Sequence, residues 1–171
     1  MAYIFAAAPL IIGSLIGALT APSSGKSTSY KDLKKPSWTP PAWVFGPVWT
    51  FLYILTGMAS VPVFNMVMKG GKDAQEARMA LGVYIMSLIV NFAWSPVFFG
   101  FQRPDLALIL IVLLLGLIIR TIYLFARLGE RSWILLIPYL VWVAYAMTLN
   151  AEIVVNIMKI RNHHKIHKIS T

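Results

Sequence analysis

Residues 35–53 read KPSWTPPAWVFGPVWTFLY, and the rest of the chain is organised around this stretch. It contains three tryptophans and four prolines, and it leads into a long apolar run. Thr39 followed by Pro40 and Pro41 predicts a helix start, in which the threonine hydroxyl is the N-cap and the prolines occupy positions whose N–H groups would have no partner. The stretch therefore predicts the entry into a long, proline-marked helix.

A proline inside this predicted helix indicates which part of it faces inward. Pro47 removes one backbone hydrogen bond and frees the carbonyl of Trp43, and lipid tolerates a freed carbonyl only where it faces protein, water or a bound molecule. Trp38 and Trp43 also fit an aromatic belt at a membrane interface. Trp49 and Tyr53 lie deeper and one turn apart, so we expect them to form an inward-facing aromatic stripe.

The composition excludes a soluble domain. The 171 residues are 58% hydrophobic and only 12% charged, and the mean hydropathy is +0.73. One small core cannot bury that much apolar surface, so the chain is predicted to cross a membrane several times. The net charge of +9 comes from basic residues that flank apolar runs, which is not the continuous stripe of a nucleic-acid-binding protein. The absence of cysteine excludes disulfides and thiolate sites.

The apolar runs predict an all-α integral membrane protein, a bundle of five transmembrane helices. The first run lacks the positive segment of a signal peptide and is longer than its apolar region, which favours a retained helix over a cleaved signal. A polar loop over residues 21–40 follows this helix, and a basic tail covers residues 159–171. The five predicted helices cover approximately residues 2–20, 41–68, 79–101, 106–125 and 132–158.

Five spans place the two termini on opposite sides of the membrane. One side then has five basic residues, and the other has nine: Lys26, Lys31, Lys34, Lys35, Arg103, Lys159, Arg161, Lys165 and Lys168. The positive-inside rule therefore predicts a cytosolic C-terminus. Within the spans, Arg120 is a functional candidate by its depth, but it lies about two turns from a predicted helix end and can snorkel, which is the favoured interpretation. The tail histidines fit contact with acidic lipids better than metal binding.

Three helices combine aromatic and polar residues on one face. These residues are Trp49 and Tyr53, then Asn91 and Trp94, then Tyr139, Trp142 and Asn150. Pro96 and Pro138 are predicted to free the carbonyls of Phe92 and Ile134, as Pro47 does in the second helix. Converging indoles with a few polar groups fit an apolar pocket for a large flat ligand. Aromatic packing between helices is the alternative interpretation.

Three segments resemble the translocator protein family, the tryptophan-rich sensory or TspO-type proteins. They are KPSWTPPAWVFGPVW (35–49), NFAWSPVFFG (91–100) and IPYLVWVAYAMTLN (137–150), in the order and spacing of that family. The resemblance implies a five-helix bundle, usually dimeric, whose pocket lies under the first loop. It also implies protoporphyrin IX, haem or a related tetrapyrrole as ligand, and in animal members cholesterol and benzodiazepine-type compounds.

The resemblance assigns pocket positions to Tyr30, Trp49, Asn91, Trp142, Ala146 and Leu149. It also matches Trp49 and Trp142 to the tryptophans implicated in light-dependent porphyrin breakdown in bacterial members. Combined with the aromatic stripes, the candidate ligand-binding residues are Tyr30, Trp38, Trp49, Tyr53, Asn91, Trp94, Trp142, Ala146 and Leu149. No catalytic residue, metal ligand or required cofactor is predicted.

Two departures from the family pattern limit what the resemblance implies. Ala151 and Val155 stand where the cholesterol motif of animal members has tyrosine and arginine, so weak sterol binding is expected. A looser sterol pattern, formed by Leu117, Tyr123 and Arg127, occurs in the fourth helix. Met86 stands one turn after Gly82, where a small residue is expected, so a homodimer through that face is left open.

The expected function is a membrane receptor or transporter for tetrapyrroles in porphyrin homeostasis and stress response. A porphyrin-degrading enzyme that uses Trp49 and Trp142 is the second hypothesis, although no acid–base pair accompanies these residues. A small carrier or scaffold without a tetrapyrrole role is the third, and the chain lacks the internal repeats that favour a carrier. The expected location is the outer mitochondrial membrane of a eukaryote or the inner membrane of a bacterium.

Overall fold

Five long helices form the described part of the fold, as the hydropathy predicted. The computed structural model describes residues 2–20 and 36–169, with side chains described up to Ile160 except that of Thr20. Every long helix is apolar and long enough to cross a membrane, which confirms the all-α transmembrane class. The helices are α1 (Ala2–Thr20), α2 (Ala42–Lys69), α3 (Ala74–Ser95), α4 (Pro104–Arg127) and α5 (Ile137–Ile169).

Two short segments complete the spans. A π-helical turn, Pro96–Gly100, extends α3, and a 3₁₀ segment, Arg131–Leu136, precedes α5. Sequential helices pack against one another along the chain, and α1 also touches α3. We call the membrane side of residues 36–41 and 101–103 the first-loop side, and the side of residues 70–73 and 128–130 the hairpin side.

The prolines shape two helix starts differently from the prediction. Thr39 is not an N-cap: its hydroxyl donates to the carbonyl of Pro36 at 2.8 Å, and α2 begins at Ala42. The reason is that Pro41 disfavours a helical conformation at Pro40, so the helix starts after both prolines. Pro138 frees no carbonyl inside a helix, because it is the second residue of α5, where no intrahelical bond exists to lose.

The remaining differences concern α3 and α5. Pro96 ends the regular α-helix at Ser95, and the following turn closes with the Phe101 N–H donating to the Pro96 carbonyl at 2.9 Å. Such π turns occur often at functional sites. The last helix continues to Ile169, so most of the segment predicted as a tail is helical.

Three apolar clusters fill the bundle from the hairpin side to the first-loop side. The cluster nearest the hairpin side surrounds Tyr84 and Phe125. The central cluster joins α2, α3, α4 and α5 around Tyr139 and Val143, and a small cluster at Phe98 lies nearest the first loop. The candidate site residues gather in and around the central cluster.

Candidate ligand-binding site

One wall of the site contains a buried hydrogen bond between α2 and α3. The Tyr53 hydroxyl donates to Oδ1 of Asn91 at 2.9 Å, and both side chains are less than 10% exposed. Helix α1 borders this wall at Gly13, where a Cβ atom would overlap the Tyr53 ring. The structure therefore brings together Tyr53 and Asn91, which the sequence predicted to face inward from different helices.

Aromatic rings continue this wall from α2 to α5. The Trp49 ring lies 5.5 Å from the Tyr53 ring and 6.3 Å, edge to face, from the Tyr139 ring, measured between centroids. The Tyr139 side chain is 2% exposed. Its hydroxyl lies near the Asn91 carboxamide but forms no hydrogen bond of acceptable geometry. Tyr139 thus presents a buried donor without a partner.

Trp142 presents the second such donor, one turn after Tyr139. Its ring contacts Phe45 edge to face and Tyr145 at a tilt, with a centroid distance of 5.7 Å in each pair. Its indole Nε1 is buried and has no hydrogen-bond partner. A buried polar group without a partner lowers the stability of the fold by about 1–3 kcal/mol. Two such donors three residues apart are therefore unfavourable if these side chains serve only in helix packing.

Trp94 is hydrogen-bonded within the bundle. Its Nε1 donates to Oδ1 of Asn150 at 3.2 Å, and Nδ2 of Asn150 donates to the Pro104 carbonyl at 2.8 Å. Its ring stacks on Phe98 with a centroid distance of 5.0 Å. The indole N–H is therefore used within the protein, where it links α3, α4 and α5.

Replacing Trp94 with phenylalanine is expected to lower the free energy of unfolding slightly. The change removes one interhelical hydrogen bond and keeps the stacked ring, and such bonds are worth about 0.6 kcal/mol on average in a membrane protein. Unfolding in mixed micelles measures the loss. Trp43→Phe is the matched control, because Trp43 is 75% exposed; an equal loss in both variants would contradict a role for the Asn150 bond.

The segment before α2 is hydrogen-bonded to α5 on the first-loop side of this site. The Tyr145 hydroxyl donates to the Trp38 carbonyl at 2.8 Å, a contact between residues 107 positions apart. The Trp38 side chain itself is 54% exposed. Tyr30 lies outside the described residues. Of the remaining candidates, Ala146 packs half-buried against the central cluster, and Leu149 is buried.

Three residues of the aromatic wall are not among the ligand-binding residues that the sequence predicted. Tyr139 was placed on the aromatic stripe but not among the ligand-binding residues, and its spacing of three from Trp142 was the available signal. Phe45 is not among the predicted residues because its contact with Trp142 depends on how α2 and α5 pack. Tyr145 lies three residues after Trp142 on the same helix, so its spacing was an available signal. In the described part of the chain, no three His, Cys, Asp or Glu side chains are grouped so that they could hold a metal ion.

Comparisons with known proteins relate the chain to one family. Residues 5–155 match the profile of the TspO/MBR family. The tryptophan-rich protein TspO of Chlorobaculum tepidum is 41% identical over 124 residues, which cover 72% of this chain and 76% of that protein. The translocator protein of Homo sapiens is 39% identical over 121 residues, or 71% of this chain and 70% of that protein. A TspO protein of Archaeoglobus fulgidus is 35% identical over 85% of this chain and 90% of its own length.

Proposed function

Because this chain belongs to the TspO/MBR family, we propose that it is a membrane receptor for a flat tetrapyrrole such as protoporphyrin IX or haem. The ligand lies against the aromatic wall formed by Trp49, Tyr139 and Trp142. The binding serves porphyrin homeostasis and the stress response. The observation that supports this proposal most directly is the pair of buried donors without partners, the Tyr139 hydroxyl and the Trp142 indole N–H.

The chemistry of a tetrapyrrole complements this wall. Its macrocycle is flat and apolar and stacks on aromatic rings, while its propionate groups accept hydrogen bonds. Donors already buried in an apolar site favour a ligand with acceptors, because the ligand removes the cost of leaving them unpaired. A sterol has a single hydroxyl and no flat aromatic face. With Ala151 and Val155 at the family's sterol-binding positions, it is the weaker ligand.

We favour a protein that binds the tetrapyrrole without catalysing its breakdown. Two relatives have names that describe a translocator and a sensory protein, respectively, rather than an enzyme. The described wall contains tyrosine, tryptophan and asparagine, and no carboxylate or imidazole is part of it. Light-driven porphyrin breakdown through Trp49 and Trp142 is the alternative, and the experiment below separates the two.

Titration of the purified protein with protoporphyrin IX tests the proposal. Tryptophan fluorescence should be quenched in the dark with a saturable, one-site curve, since Trp49 and Trp142 lie on the proposed binding wall. The porphyrin absorption should then remain stable under illumination if the protein only binds. Quenching that rises linearly without saturation would exclude a site, and light-driven loss that requires both tryptophans would favour the enzyme.

The orientation of the chain is a separate prediction. Nine basic residues on the side of the C-terminus against five on the other predict that the C-terminus is cytosolic. The chain has no cysteine, so a single cysteine can be introduced at the C-terminus or, on the hairpin side, at the exposed Gln75. A membrane-impermeant maleimide should label only the hairpin-side cysteine when it is added from the non-cytosolic face. Labelling of the C-terminal cysteine from that face would reverse the topology.

A further inference from the structure

The exposed surface of α4 is apolar apart from Asp105 in its first turn, Tyr123 and two arginines. Val112, Leu113 and Ile119 are each more than half exposed, as expected for side chains that face lipid. Arg120 lies on this same exposed surface. A guanidinium group among lipid-facing side chains is costly unless it reaches the interface or an anion.

Arg120 and Arg127 converge on one exposed ring. The guanidinium carbon of Arg120 lies 5.3 Å from the centroid of the Tyr123 ring, and that of Arg127 lies 5.9 Å from it. The two Cα atoms are seven residues apart, or about 10 Å along the helix, yet both charges are drawn to the level of Tyr123. That ring is 50% exposed, so the paired charges are accessible from outside the protein.

The protein supplies only part of the negative charge that this pair requires. Arg127 lies 3.6 Å from a carboxylate oxygen of Glu76, in a pair that is about half exposed. Among the described residues, Arg120 has no acidic partner within ion-pair distance. Two guanidinium groups at one ring repel each other, and a second anion between them would relieve that repulsion.

The position of the two arginines along the bilayer normal indicates which anion can reach them. The 24 residues of α4 span about 36 Å, slightly more than the roughly 30 Å hydrocarbon layer. The Arg120 guanidinium lies at the level of Tyr123, which is four residues, or about 6 Å, inside the end of α4. The pair is therefore close to the boundary between the hydrocarbon layer and the headgroups, where a long basic side chain can snorkel to a lipid phosphate. We propose that Arg120, Tyr123 and Arg127 form a site for the phosphate of an anionic phospholipid on the hairpin side of the membrane.

Two features favour an anionic lipid over a zwitterionic one. A choline headgroup brings its own cation to a site that already has two. The described hairpin side is also basic overall, with three acidic residues (Asp73, Glu76 and Glu130) and six basic ones: Lys69, Lys72, Arg78, Arg120, Arg127 and Arg131. Basic clusters of this kind at the ends of transmembrane helices attract anionic headgroups.

Native mass spectrometry of the full-length protein tests the site with phosphatidylglycerol and phosphatidylcholine of identical acyl chains. The wild type should bind the first phosphatidylglycerol at least fivefold more tightly than phosphatidylcholine. Arg120→Gln and Arg127→Gln should each lower phosphatidylglycerol affinity about threefold, and the double variant should abolish the preference. Melting temperatures confirm that the variants are folded.

Two controls make the outcome decisive. Arg131→Gln removes the same charge from an exposed position on the same side and should leave the lipid preference unchanged. An excess of inorganic phosphate should not displace the lipid. The proposal is overturned if the wild type has no preference, if Arg131→Gln reduces it as much as Arg120→Gln does, or if inorganic phosphate competes. None of these results depends on the tetrapyrrole site.

Discussion

Replacing Trp142 with alanine is expected to weaken protoporphyrin IX binding at least tenfold. The change removes a stacking partner, worth about 0.5–1.5 kcal/mol beyond its buried area. It also removes the indole N–H, whose hydrogen bond to a charged acceptor is worth about 1.5–3 kcal/mol. The hydrogen bond alone exceeds the roughly 1.4 kcal/mol that corresponds to a factor of ten, and the stacking adds up to about the same amount. The dissociation constant from fluorescence quenching or porphyrin absorption measures the effect.

Conservative variants separate the two contributions. Trp142→Phe keeps an aromatic ring and removes only the donor, so it should lose affinity while retaining part of the stacking. Trp133→Phe is the matched control, because Trp133 lies in the 3₁₀ segment and packs against the cluster nearest the hairpin side. If Trp133→Phe weakens binding as much as Trp142→Phe does, the ligand is not at the central wall.

The Tyr139 hydroxyl gives this prediction a second measurement. Without ligand it is a buried donor that lacks a partner, so Tyr139→Phe should leave the melting temperature unchanged or raise it, because a desolvation penalty disappears. The same variant should bind protoporphyrin IX at least threefold more weakly, because it loses one hydrogen bond to an acceptor of the ligand. A hydroxyl that served only packing would give the opposite pattern, with lower stability and unchanged affinity.

The sequence predicts most of the fold because each long helix contains an apolar window long enough to cross a bilayer. Local chemistry also places Trp49, Tyr53 and Asn91 on inward faces by their spacing. The helix ends were harder to predict, since they depend on competition between neighbouring residues. At Thr39, the double proline prevents the helix from starting, and at Pro138 a 3₁₀ segment places the proline in the first turn, where it breaks nothing.

The partners of individual polar atoms could not be predicted in the same way. Trp94 and Asn150 are 56 residues apart, and their hydrogen bond depends on the relative rotation of α3 and α5. A stripe of aromatic residues shows that indoles face inward, but it does not show which N–H groups the protein itself satisfies. The distinction between Trp94 and Trp142 therefore appears only when the helices are assembled.

Gly57→Ala is expected to lower the free energy of unfolding by about 2–3 kcal/mol, near the upper end of the range for overpacking a close contact. A Cβ atom at Gly57 would overlap the backbone carbonyl oxygen of Ala6 in α1. A backbone atom cannot turn away as a side chain can, so α1 would have to shift. Glycine permits this close approach of two helices, which is a main source of helix association in lipid.

Helix α1 depends on few such contacts, because only 6% of its most apolar window is buried. Besides Gly57, it is held by the Phe5–Phe64 ring stack, with a centroid distance of 4.8 Å, and by the contact of Gly13 with the Tyr53 ring. Displacing α1 at Gly57 should therefore also disturb the Tyr53–Asn91 hydrogen bond. Thermal unfolding in detergent measures the first effect, and the dissociation constant for protoporphyrin IX measures the second.

Gly17→Ala is the matched control for this prediction. Gly17 lies in the same helix pair and is exposed, and no neighbouring atom lies within 4 Å of a Cβ placed there. Alanine is favoured over glycine inside a helix by about 1 kcal/mol, so this variant should be as stable as the wild type or more stable. The prediction is wrong if Gly57→Ala has the same melting temperature as Gly17→Ala. In that case α1 does not pack on α2 through the Ala6 carbonyl, and the packing of α1 behind Tyr53 differs from that described.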